Sequence, residues 1–87
     1  MNINTVSQTL RLSELKRGQK AIIVAFADFD TSLKLLEMGC VPGEEVEITR
    51  VAPLGDPIAI GVAGYQLSLR KEEASAIKVQ LKSPDTK

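Results

Sequence analysis

The chain has 87 residues, the scale of one domain with one modest core. Lys plus Arg and Asp plus Glu each number 11, so the formal charge is zero. That balance lacks the basic surplus that drives non-specific binding to nucleic acid or anionic lipid. Aromatic residues make up 3% and Trp is absent, so the core must be assembled from Leu, Ile, Val and Ala.

Residues 1–9 and 82–87 read as flexible termini around a single domain over 10–81. The N-terminal segment has no basic stretch leading into an apolar block, so no secretion signal is expected. The longest apolar run, Ala21–Ala27, falls far short of the roughly 20 residues a spanning helix needs. A single cysteine, Cys40, cannot form an internal disulfide and fits a reducing compartment. A soluble, cytoplasmic chain is expected.

Leu12-Ser13-Glu14-Leu15 predicts a short helical turn capped by Ser13. Lys20–Phe26 is β-branched and apolar with little alternation, which predicts a strand buried on both faces. Asp28-Phe29-Asp30-Thr31 supplies helix-capping side chains, and a two-turn helix is expected over Thr31–Met38. Gly39 stands where a left-handed C-terminal cap belongs, and Pro42-Gly43 reads as a turn. Glu45–Val51 alternates, with Val46 and Ile48 on one face, as a half-buried strand does.

Pro53-Leu54-Gly55-Asp56-Pro57 predicts a rigid loop. Ile58–Val62 and Tyr65–Leu69 then alternate as two arms of a hairpin. Pairing Val62 with Tyr65, Ile60 with Leu67 and Ile58 with Leu69 sets apolar against apolar throughout. A two-residue turn at Ala63-Gly64 requires φ > 0 at Ala63, whereas a four-residue loop over 61–64 keeps the pairing without that cost. The pattern is consistent with either. Lys71–Ala76 reads as one helical turn and Ile77–Leu81 as a last strand. Short strands joined by tight turns predict a mainly β fold. The expected form is a small closed barrel of about five strands, with one inserted two-turn helix and short helical turns.

The inventory for chemistry is thin. Without His, the commonest general base and metal ligand are missing, and one Cys supplies neither a zinc pair nor a redox couple. Asp28-x-Asp30 resembles the start of a calcium loop, but the sixth and twelfth positions hold Leu33 and Gly39 instead of Gly and Glu. Glu44, Glu45 and Glu47 read as a solvated strand face. Glu37, Met38 and Cys40 are too sparse in thiolate for a soft-metal site. Gly61-x-x-Gly64 lacks the Lys-Ser/Thr and long helix of a phosphate loop. No catalytic site, metal site or cofactor is expected.

One feature stands out. At 100° per residue, Leu33 and Leu36 share one side of the predicted helix, while Leu35 and Met38 share another about 160° away. One reading has Leu33 and Leu36 capping the core and Leu35 and Met38 exposed for docking. The other has both sides buried between barrel and loop.

Four blocks also carry a resemblance. Leu12-Ser13-Glu14-Leu15-Lys16-x-Gly18, Leu36-x-Met38-Gly39-x-x-Pro42-Gly43, Ala52-Pro53-Leu54-Gly55-Asp56-Pro57-Ile58 and Gly64-Tyr65-x-Leu67-Ser68-Leu69-Arg70-x-x-Glu73-Ala74 resemble the FeoA family. Their order and spacing are the family's; Arg17 departs, where the family often has Pro. The resemblance spans about residues 10–81. It implies an SH3-like barrel acting as accessory protein to FeoB, a ferrous iron permease with a cytoplasmic GTP-binding domain. It implies a membrane connection only through that partner.

On this reading the partner-binding residues are expected to be Leu35, Met38, Gly39, Cys40 and Pro42 on the helix and its exit. Leu54, Gly55 and Asp56 on the rigid loop are the second set. Three aromatics are too few to line a polyproline groove. The competing reading is a metal-responsive regulatory module akin to the C-terminal domain of iron-dependent repressors. Homo-oligomerisation stays open.

Overall fold

The computed structural model describes residues 9–82. Strand β1 covers Thr9–Arg11 and runs into a 3-10 helix at Leu12–Glu14. β2 follows at Lys20–Phe26, helix α1 at Phe29–Glu37, and β3 at Glu45–Val51. The hairpin comprises β4 at Ile58–Val62 and β5 at Tyr65–Leu69. Helix α2 spans Lys71–Ser75 and β6 spans Ile77–Leu81. Most of the expected termini lie outside the described residues. Of the two positions inside them, Thr9 opens β1, and the backbone N–H of Lys82 donates to the Lys20 carbonyl at 2.9 Å.

The six strands of the described residues form one antiparallel sheet in the order β1-β6-β2-β3-β4-β5. The sheet curls around a single aliphatic core. Ala21 and Ile23 of β2, Val46 and Ile48 of β3, Ile58, Ile60 and Val62 of β4, and Ile77 and Val79 of β6 all point inward. Two bulges, where Val24 and Thr49 stand opposite no partner, help the curl by raising local twist. The ladder remains open between its edge strands β1 and β5. α2 packs against both the 3-10 helix and β5 and joins the two edges by side-chain contact instead of backbone pairing. Ala74 and Leu12 are buried beneath it, and the hydroxyls of Ser75 and Ser13 meet at 3.0 Å.

Three expectations need correction. The sheet has a sixth strand, β1, which is too short for its alternation to show in sequence. β2 is not buried on both faces: Ala21 and Ile23 are inside, but Lys20 and Val24 are exposed, because no second layer covers the outer face there. Ser13 is not the cap of the 3-10 helix. The Glu14 carboxylate accepts the Arg11 backbone N–H at 2.8 Å instead, leaving the Ser13 hydroxyl for Ser75.

The hairpin keeps the expected register, with Val62 opposite Tyr65, Ile60 opposite Leu67 and Ile58 opposite Leu69. The connection is the two-residue turn. Ala63 adopts φ +53° and Gly64 φ +83°, the double left-handed pattern of a type I′ turn. Tyr65 is mostly exposed rather than packed into the hairpin.

Candidate functional site

Helix α1 begins two residues earlier than expected because Asp28 is its N-cap, with the Thr31 N–H donating to Asp28 Oδ1 at 2.8 Å. Its end is a complete Schellman motif. The Cys40 N–H donates to the Leu35 carbonyl at 2.9 Å, the Gly39 N–H donates to the Leu36 carbonyl at 3.1 Å, and Gly39 takes φ +95°. That closure folds Cys40 back over Leu35, and both side chains are fully buried.

The outward and inward sides of α1 are therefore the reverse of the first reading. Leu35 faces the core and Met38, half-buried, packs beside it. Phe29, Leu33 and Leu36 face out, at 74%, 49% and 40% exposure. Spaced i, i+4 and i+7, they form one apolar stripe within an arc of roughly 60°. The second reading fails too, since α1 does not bury both sides. Of the expected docking residues, Leu35 and Cys40 present no side chain to a partner. Gly39 takes the left-handed position just after the Met38 C-cap, and Pro42 is exposed beyond it.

The loop residues fare differently. Leu54 is 93% exposed at the tip. The loop beneath it is fixed by the Gly55 N–H donating to the Ala52 carbonyl at 2.7 Å and the Ala52 N–H donating to the Pro57 carbonyl at 3.1 Å. Asp56 Oδ1 accepts the Lys71 backbone N–H at 2.9 Å, tying the loop to α2. α2 is in turn linked to α1 by the Lys34–Glu73 ion pair. α2 thus lies between the two expected docking segments and holds each of them.

Charge on this side is structural. The Lys34 ammonium and the Arg70 backbone N–H hold the Glu73 carboxyl below its ordinary value. Across the molecule, a hydrogen bond from Lys82 does the same for Glu45. Burial pushes the Cys40 thiol upward, which keeps it protonated and poorly nucleophilic. Among the described residues, no group of three or more His, Cys, Asp or Glu is placed to hold a metal ion. No described helix is long and apolar enough to cross a membrane.

By fold the chain is a small SH3-like barrel domain with a helix on its outside. It belongs to the FeoA family, whose FeoA domain model matches residues 10–81. It is 41% identical over 73 residues to an Fe(2+) transport protein A/Fe(2+) transporter FeoB fusion protein of Porphyromonas gingivalis. That match covers 83% of this chain but only 9% of the relative's length. A FeoA-like protein from Clostridium acetobutylicum superposes with a TM-score of 0.85 at 34% identity, covering 94% of this chain and 96% of that one. The FeoA of Stenotrophomonas maltophilia, a procaryotic SH3 domain protein solved with zinc, superposes at 0.72 with 30% identity over 82% of this chain and 89% of its own. A manganese-dependent transcriptional repressor shares the fold at a TM-score of 0.78. Its 14% identity, over 88% of this chain and 44% of the repressor, extends the likeness to fold alone.

Proposed function

We propose that this domain is a non-catalytic adaptor of ferrous iron uptake, docking on the cytoplasmic GTP-binding part of a FeoB-type permease. The observation that carries the reading is the Porphyromonas gingivalis relative, in which a domain of this family and the transporter share one chain. Covalent fusion raises the effective concentration of two modules and is useful when they work in contact. The membrane association of the free domain is then second-hand, through the partner.

The docking surface is the outer stripe of α1, Phe29, Leu33 and Leu36, with Pro42 at the helix exit and Leu54 as a separate loop contact. Three adjacent apolar side chains left in water on a helix that has already buried its other side support this choice. Removing each from water on docking would contribute on the order of 1 kcal/mol, because each is already partly covered. The rigid loop behind Leu54 loses little entropy on binding.

Capture of the purified domain by an immobilised permease cytoplasmic domain, with and without guanine nucleotide, tests this. The wild-type domain is expected to be retained. A Leu33→Gln/Leu36→Gln variant should lose at least tenfold in affinity with its circular dichroism unchanged. No retention in any nucleotide state would count against the adaptor reading. Equal retention of the variant would move the docking surface elsewhere.

A further inference from the structure

The hairpin leaves β5 as an edge strand. Its turn determines which backbone groups point where. A type I′ two-residue turn makes Val62 and Tyr65 a hydrogen-bonded pair, so the bonds to β4 alternate from there. Tyr65, Leu67 and Leu69 direct their N–H and C=O groups to β4. Gln66 and Ser68 direct theirs away from it, where neither backbone N–H finds a backbone or side-chain acceptor among the described residues. The Gln66 side chain itself lies back across the sheet to Thr49, 3.2 Å away, and does not obstruct the edge.

Edge strands are normally guarded by charge, proline, a bulge, short length or a covering helix or loop. β5 has none of the first four, and although α2 packs against the strand, its outward-facing Gln66 and Ser68 stay exposed. Tyr65-Gln66-Leu67-Ser68-Leu69 is five residues long, uncharged and paired to β4 without a register shift. The opposite edge, β1, is three residues long and carries Arg11.

We infer that the β5 edge is a seam between two copies of this chain, paired antiparallel about a two-fold axis through Leu67. The register follows from the backbone. Antiparallel pairing requires outward-facing residues of the two strands to sit opposite one another. Centring the axis on Leu67 puts Gln66 opposite Ser68 of the second copy and Ser68 opposite its Gln66. All four outward N–H groups then meet all four outward carbonyls. The side chains agree with this register: Leu67 meets Leu67, and Tyr65, 67% exposed in the single chain, lies beside the apolar row of the other copy. An interface that pairs a patch with itself closes as a dimer and leaves no further β5 edge. This self-complementarity favours a second copy over an unrelated strand.

Analytical ultracentrifugation over a concentration series, with amide exchange read by NMR, tests the seam. The wild-type chain should dimerise, and the Gln66 and Ser68 amides should slow as concentration rises. Ser68→Pro removes an N–H that β4 does not use, so the hairpin is retained. It deletes two symmetric seam bonds, each worth about fivefold, and should weaken the dimer roughly 30-fold. Unchanged far-UV circular dichroism verifies that the variant is folded. A wild-type chain that remains monomeric at millimolar concentration with both amides exchanging freely overturns the inference. So does equal dimerisation of Ser68→Pro. Protection of the two amides only when the permease domain is added would hand the edge to that partner instead. The inference stands apart from the adaptor reading, because dimerisation is read without the permease.

Discussion

Replacing Leu35 by Ala and Leu33 by Gln in separate variants tests the two faces of α1 directly. Leu35 is fully buried, in contact with the core and covered by Cys40 through the Schellman closure. Truncating a buried Leu to Ala costs about 2–5 kcal/mol, from lost burial plus the cavity left behind. A chain of this length has a total stability of roughly 4–13 kcal/mol. A middle value of about 3 kcal/mol would lower Tm by about 12–24 °C. Leu33 is half in water, and Gln has nearly the same helix propensity as Leu. Its replacement should change stability by no more than about 0.5 kcal/mol. Urea unfolding followed by circular dichroism, with matched m values, reads both. A loss above about 2 kcal/mol for Leu33→Gln together with less than about 1 kcal/mol for Leu35→Ala would refute this orientation of the helix, and the docking stripe with it.

Two further measurements probe the hairpin and the helix pair. Ala63 holds φ +53°, a conformation that costs an alanine about 1 kcal/mol and that Asn tolerates better. Ala63→Asn should therefore raise Tm by about 2–8 °C, and a fall would mean that the turn is not type I′. Glu73 is held below its ordinary carboxylate value chiefly by the Lys34 hydrogen bond. Its folded state prefers the charged form, so its stabilisation is present above the unfolded value of about 4.3 and is lost as pH falls through the depressed folded value. Glu73→Gln should flatten the decline of stability below about pH 5, and superimposable wild-type and variant profiles would show that the pair contributes nothing.

Most of the barrel was legible because its strands follow a period of two with clean punctuation. β3, β4, β5 and β6 have the expected boundaries, and the hairpin register followed from matching Ile58, Ile60 and Val62 with Leu69, Leu67 and Tyr65. β1 was not legible. Three residues carry no periodicity, and the strand exists only because β6 offers Lys78, Val79 and Gln80 as partners 67 to 71 positions away. The two bulges were hidden for a related reason. An unpaired residue such as Val24 or Thr49 is defined by the neighbouring strand, while the local sequence reads as continuous β.

The faces of α1 were misassigned for a different reason, and here the needed signal was present. Two apolar stripes on one helix give a pattern without a sign: either Leu33 and Leu36 or Leu35 and Met38 can face the core. Gly39 supplies the sign. A glycine at the residue after the C-cap implies a Schellman closure, and that closure brings the next residue against the one four positions before the glycine. Those residues are Cys40 and Leu35. Free cysteine is among the most buried residue types, so the contact belongs inside, and Leu35 with it. Met38, three positions on, follows Leu35 inward, which leaves Phe29, Leu33 and Leu36 on the far side. The same glycine that ends the helix therefore selects the stripe available to a partner. A bulky β-branched residue at position 39 would strain the cap and loosen the choice of face, whereas most substitutions at Leu33 would leave it intact.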